Sequence, residues 1–313
     1  MRFVERRAAP DSAALVPVDA EGDGIHDFAL ARGRHLTLAR EVEGDLRAAW
    51  QHNFDTAIRP PVPLDLDGDG REELVVSMLR GGTGEITVLD GNEQPVERFG
   101  PIAAPPGPDR PWEGLLAPAA VARTAQGRAL LCLQLTTYSG HARTLMSLPR
   151  GARGPAWRAT FGPWPAQTLV TDLDGDSLDE VLIGADSPDN GVSSGGTDDS
   201  HAWALAFGGD GRTRWARPLA GAFSQVRVLP LPGPAPRTVL ASVHSHHARD
   251  AGAGQILLLD GATGEVRTRR DFRWQPGWPR LLDSNGPRVV LGASDGTLRV
   301  LDGTLEVRAE RDL

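Results

Sequence analysis

The sequence predicts an all-β fold, a β-propeller of about six four-stranded blades with seven possible, and three observations carry that expectation. An acidic loop of nearly constant spelling recurs along the chain. Short apolar runs rich in Val and Leu flank it, and no stretch holds a helical period over three or more turns. Asp-Gly turns between further apolar runs close the second half of the repeat, the strongest short-range hairpin signal. Four strands per unit, at a period of about 50 residues, is the spacing of propeller blades.

The first observation rests on three segments. Asp19-Ala-Glu21-Gly-Asp23-Gly24-Ile-His-Asp27 precedes Phe-Ala-Leu-Ala. Asp65-Leu-Asp67-Gly-Asp69-Gly70-Arg-Glu-Glu73 precedes Leu-Val-Val-Ser. Asp172-Leu-Asp174-Gly-Asp176-Ser177-Leu-Asp-Glu180 precedes Val-Leu-Ile-Gly. Weakened copies follow the same frame at Ala122–Leu131, Pro230–Arg237 and Asp283–Arg288, so the repeat units start near 13, 56, 113, 165, 223 and 278. The hairpins of the second half end at Asp90-Gly91, Asp210-Gly211, Asp260-Gly261 and Asp302-Gly303. One blade cannot bury both of its faces, so neighbours must stack. The whole chain, 1–313, therefore reads as a single propeller domain, to which Met1–Arg7 could add a strand.

Composition agrees and excludes some functions. The 37 Gly and 25 Pro are spread along the chain, which suits many short strands and tight turns. A formal charge of −8 disfavours nucleic acid, whose phosphates need a concentrated basic surface. Cys132 stands alone in the apolar run Ala129–Leu133 and reads as a buried core residue. No run of apolar residues is long enough for a membrane span. The opening Met1–Asp11 lacks the apolar stretch of a signal peptide. The expected location is extracellular, periplasmic or cell-surface, with the cytoplasm as the alternative.

The acidic loop followed by a Val-Leu-Ile-Gly-Ala strand resembles the FG-GAP/VCBS repeat of integrin α-chain propellers and many bacterial surface proteins, and the Gly-Ala element recurs at Gly184-Ala185 and Gly292-Ala293. The resemblance implies a propeller and calcium, and no single activity. The residues support calcium independently. A hard cation takes oxygen ligands at about 2.4 Å from several directions. Carboxylates at alternate positions of a tight loop, a backbone carbonyl at the seventh position and a carboxylate at the ninth can supply them. The expected ligand sets are Asp65, Asp67, Asp69, Arg71 and Glu73; Asp19, Glu21, Asp23, Ile25 and Asp27; and Asp172, Asp174, Asp176, Leu178 and Glu180, for two or three Ca2+ ions. The bland alternative is a solvated acidic turn, against which stands the mutual repulsion of four carboxylates. Ser177 replaces the glycine of the other two loops at a turn that favours a left-handed backbone, so that loop ranks third.

The longest insertions, Asp186–His201 and His244–Gly254, fall on the blade end opposite the acidic loops. They and neighbouring loops carry His141, His201, His244, His246 and His247. The crossings between blades add Trp50, His52, Phe54, Trp112, Trp164, Phe223, Trp274 and Trp278. Trp164, Trp278 and the five His are candidate ligand residues for a protein or carbohydrate. The competing reading makes the aromatics seam plugs and the His ordinary loop polar groups. Gly191-Val-Ser193-Ser-Gly195 fits a nucleophile-elbow pattern by letter only, since no helix pattern follows it. The leading expectation is a non-enzymatic, calcium-binding propeller that binds a ligand or protein. The alternatives are a carbohydrate-active lyase or hydrolase using the His-rich end with Asp186, Asp189, Asp198 and Asp199, and the sensor domain of a longer membrane receptor.

Overall fold

A computed structural model describes residues 13–103, 115–135, 141–245, 254–283 and 287–313. The possible extra strand at Met1–Arg7 lies outside them. Among the described residues there are six four-stranded antiparallel sheets and one two-stranded ribbon. Blade 1 holds β1 (Ala14–Val18), β2 (Asp27–Arg32), β3 (His35–Val42) and β4 (Asp45–Asn53). Blade 2 holds β5 (Val62–Leu64), β6 (Glu73–Arg80), β7 (Thr83–Leu89) and β8 (Pro95–Ala103). Blade 3 holds β9 (Leu115–Thr124), β10 (Gly127–Leu135), β11 (Arg143–Pro149) and β12 (Trp157–Phe161). Blade 4 holds β13 (Trp164–Thr171), β14 (Glu180–Asp186), β17 (Ala202–Phe207) and β18 (Thr213–Ala220). Its long insertion folds into the ribbon β15 (Ser193–Ser194) and β16 (Thr197–Asp198). Blade 5 holds β19 (Ser224–Pro230), β20 (Thr238–Ser245), β21 (Gly254–Asp260) and β22 (Val266–Phe272). Blade 6 holds β23 (Arg280–Asp283), β24 (Arg288–Gly292), β25 (Thr297–Leu301) and β26 (Val307–Asp312). Strands pair in chain order within every blade, and the fold is a β-propeller.

Burial explains the sequence pattern. Second strands such as β6 and β14 are buried on both faces, so they read as unbroken apolar runs. Fourth strands such as β22 and β26 are mostly exposed and charged. Apolar clusters form between successive sheets. Leu36, Leu38 and Val18 of blade 1 meet Leu74 and Leu89 of blade 2. Val75 and Ile86 of blade 2 meet Leu130 and Met146 of blade 3. Ala204 and Leu182 of blade 4 meet Val226 and Val239 of blade 5, and Leu240 and Ile256 meet Val289 and Leu301 of blade 6. Cys132 is fully buried in the second of these clusters, and burial pushes its thiol well above the ordinary range.

The chain divides into two compact units. One comprises described residues of 1–121, 128–136 and 146–156, and the other those of 122–127, 137–145 and 157–313.

Two local structures differ from the expectation. The weakened copy at Ala122–Leu131 is no loop: β9 and β10 join through a two-residue turn at Ala125-Gln126. No aspartate is present there to hold a wide loop, and the Thr124 hydroxyl instead spans the turn, donating to the Gly127 carbonyl and accepting from the Gln126 N–H. The Asp-Gly hairpins are also wider than two residues. Asp90 N–H reaches the Gln94 carbonyl, Asp260 that of Glu265 and Asp302 that of Glu306. In each, the aspartate carboxylate accepts backbone N–H groups from inside the loop, such as Asn92 and Gln94 on Asp90. The last loop residue takes a left-handed backbone (Glu93, Gly211, Gly264 and Leu305), and a bulge follows.

Candidate functional site

The three acidic loops fold to one plan. The first aspartate stands at the end of the first strand and turns its carboxylate into the loop. Asp65 accepts the N–H groups of Gly68 at 2.5 Å and Gly70 at 3.3 Å. Asp172 accepts those of Gly175 and Ser177, and Asp19 those of Gly22, Asp23 and Gly24. The fifth-position aspartate accepts the N–H two residues on, at Ile25, Arg71 and Leu178, in each case at 2.8 Å. In the second and third loops the ninth-position glutamate opens the second strand and reaches back. Glu73 accepts the Leu66 N–H and Glu180 the Leu173 N–H, both at 2.8 Å. Gly24 and Gly70 carry the left-handed backbone expected at the sixth position, and Ser177 adopts it as well, with φ of +73°.

These bonds bring carboxylates together. One oxygen each from Asp65, Asp67 and Asp69 lies within 4.8 Å of the others, and the same holds for Asp172, Asp174 and Glu180. Among the described residues these are the two groups with metal-type spacing, and no His joins either. An all-oxygen donor set fits calcium and does not favour a transition metal. Carboxylate oxygens that accept one N–H keep lone pairs for a cation. Burial pushes the Glu73 carboxyl upward, the Leu66 N–H opposes this, and Asp67, Asp69 and Asp65 add to the rise. Glu180 is raised for the same first reason, with Arg214 opposing.

Arginines attend every loop. Arg150 lies 3.3 Å from Asp67, and the Arg128 guanidinium donates to the Asp65 carbonyl at 3.0 Å. Arg214 bridges Asp174 at 3.4 Å and Glu180 at 3.2 Å. Arg40 contacts both Glu21 and Asp27 at 3.0 Å, so the first loop spends two of its expected ligands on an internal cation. The first and second loops open onto one cleft of about 470 Å³, whose lining includes Glu21, Asp23, Asp67, Asp69 and Asp90.

Several of the other candidate residues meet: Trp164 pairs with Asp186 between β13 and β14, and Asp186 holds the Arg227 that stacks on Trp278. His141 precedes β11 and His244 lies in β20 opposite Gln225. His201 is exposed and its Nδ1 lies 2.8 Å from Asp198. His246, His247 and Trp112 lie outside the described residues. Trp164 opens β13, with the buried Arg143 guanidinium 5.4 Å from its ring centre. Trp278 precedes β23, is 47% exposed, and has Arg227 stacked 4.4 Å from its ring centre. The carboxylates beside the insertion have structural partners: Asp186 binds Arg227, and Asp199 accepts the N–H groups of Asn190 and Val192.

Trp50 and His52 do not lie in a crossing as expected; both are in β4. The Trp50 indole donates to the carbonyl of Gly91 in the next blade's hairpin at 2.9 Å. Trp157 and Trp215 repeat this bond, at 2.8 Å, to Gly209 and Gly261. The seam-plug reading therefore describes Trp50, at the hairpin end of the blade. The signal available in the sequence was the position of each Trp ahead of a glycine-bearing hairpin one blade later.

No family model and no curated protein matches the chain. Solved structures do, β-propellers among them. At 13% identity, the BBS1N structure determined in complex with ARL6DN matches 97% of this chain and 83% of its own, with a TM-score of 0.53. The rhamnogalacturonan lyase YesW matches 96% of this chain and 57% of its own, at 15% identity and a TM-score of 0.57. A chain of a mitotic checkpoint complex matches all of this chain and 88% of its own, at 12% identity and a TM-score of 0.51. At these identities the similarity is one of fold. Among the described residues, no helix is long and apolar enough to cross a membrane.

Proposed function

We propose that the chain is a calcium-stabilised propeller that acts as a binding module, with its ligand or protein partner on the blade ends that carry the long connections. The observation that carries the calcium reading is the convergence of three carboxylate oxygens within 4.8 Å in two separate loops built to the same plan. Asp65, Asp67, Asp69 and Glu73 would hold one ion, and Asp172, Asp174, Asp176 and Glu180 another, with the Arg71 and Leu178 carbonyls as further donors. The first loop, with Arg40 on two of its carboxylates, would hold a third ion more weakly. Bound calcium cancels carboxylate repulsion and pins the turn between the first two strands of a blade. Loops of this kind fill where calcium is plentiful, which supports an extracellular or periplasmic setting.

The binding-module reading is supported by a propeller of matching fold solved with a protein partner. Against an enzyme, Asp186 is committed to Arg227 and Asp199 to the backbone of Asn190 and Val192, which leaves Asp198 with its partner His201. The calcium reading is tested by thermal melting. Asp67→Ala should lower the melting temperature in calcium and hardly at all in EDTA; equal losses in both would remove Asp67 from any metal role.

A further inference from the structure

Trp278 differs from four other tryptophans of the chain. Trp50, Trp157, Trp203 and Trp215 each donate the indole N–H to a backbone carbonyl. The Trp278 N–H has no acceptor among the described residues, and almost half of the side chain faces solvent. Its position is nevertheless rigid. The Gly277 N–H donates to the Gly292 carbonyl at 2.8 Å, and the Ser242 hydroxyl donates to the Gly277 carbonyl at 3.2 Å. The nearly buried Arg227 backs the ring, its guanidinium held by Asp186 at 2.6 Å and by the Gln225 side-chain oxygen at 3.2 Å. A large aromatic fixed from behind and exposed in front is a preformed contact surface, with little ordering left to complete on binding.

The charges around the ring narrow the ligand. Asp186 neutralises Arg227. Arg280, exposed and two residues beyond Trp278, lies 5.9 Å from the ring centre and has no carboxylate partner among the described residues. The Arg280 guanidinium beside the indole repels a cationic ligand, so the ring is no cage for an ammonium group. A free guanidinium beside an apolar plate suits a ligand with one C–H-rich flat face and a carboxylate at its edge.

We propose that Trp278, backed by Arg227 and flanked by Arg280, binds an acidic sugar: the pyranose ring lies on the exposed indole, its carboxylate pairs with Arg280, and a hydroxyl accepts the indole N–H. This rests on the reading of the chain as a binding module and gives that module a ligand class. The test is calorimetric titration in EDTA, so that calcium bridging plays no part, with a short oligogalacturonate, a cello-oligosaccharide of equal length and inorganic sulfate. The acidic oligosaccharide should bind best. Trp278→Ala should weaken it by about tenfold or more. Arg280→Gln should reduce its advantage over the neutral oligosaccharide, and Arg280→Lys should restore part of it. Melting curves matching the wild type confirm that the variants fold, and the exposed Arg280 pair carries the test if Trp278→Ala does not. Oligogalacturonate binding that neither substitution alters would overturn the site while leaving a binding module. Failure of the wild-type protein to prefer the acidic sugar over both controls would overturn the ligand class. Neither result touches the calcium reading, which the Asp67→Ala melts decide separately.

Discussion

Ser177 shows how one residue adjusts a loop that is otherwise built like its neighbours. It sits at φ +73° where the other two acidic loops place glycine, and its N–H still reaches Asp172 at 3.1 Å. The bond is kept, and the strain of a Cβ in the left-handed region is its cost. Ser177→Gly should therefore stabilise the protein by about 0.5 kcal/mol after the unfolded chain's added entropy is counted, measured by urea denaturation in EDTA. Asp295 offers a pH test away from the acidic loops. The Arg299 guanidinium meets both of its oxygens at 2.8 Å, and the Thr297 hydroxyl adds a bond, so its carboxyl is held well below the ordinary value of 3.8. A depressed carboxylate contributes stability that is complete above the unfolded value and is lost as pH falls toward the folded one. Melting temperature should thus drop below about pH 4, and Asp295→Asn should give a lower value at neutral pH with a shallower acid-side fall. The carboxylates that converge in the second and third loops could be named from sequence, because alternate carboxylates and a turn glycine are local signals. Arg40, Arg150 and Arg214 could not, since each reaches its loop through strand pairing or blade stacking.

At the scale of elements, the hairpins and the blade seams are one system. The glycine that ends a hairpin with a left-handed backbone also makes room for the previous blade's tryptophan. A Cβ on Gly264 would stand 2.6 Å from the Trp215 ring, and one on Gly211 would stand 2.5 Å from that of Trp157. Gly264→Ala should consequently cost about 2 kcal/mol or more, from φ strain and the displaced ring together. Trp215→Phe keeps most of the packing and loses the bond to Gly261, and should cost about 1 kcal/mol. Urea denaturation of the two variants checks both figures. Strands were legible here because apolar runs and Asp-Gly pairs mark them directly. Hairpin width was not, because it depends on the aspartate carboxylate capturing N–H groups two to four residues on. The turn at Ala125-Gln126 is tighter than the repeat predicts for the converse reason: the spacing of the copy is preserved, but the missing aspartate removes the cause of the loop.

For the whole molecule, the repeat was the informative signal. Expected unit starts near 13, 56, 113, 165, 223 and 278 compare with first strands opening at Ala14, Val62, Leu115, Trp164, Ser224 and Arg280. The blades could be counted since each must present two apolar faces to its neighbours, which imprints the same alternation about every fifty residues. The proposed ligand site leaves no such imprint: Trp278, Arg227 and Asp186 come from three consecutive blades and share no motif. Whether the acidic loops are cation sites is decided by native mass spectrometry at saturating calcium. At least two bound Ca2+ ions are expected in the wild-type chain, with one lost in Asp67→Ala and one in Asp174→Ala. A wild-type mass equal to that of the metal-free polypeptide would contradict this.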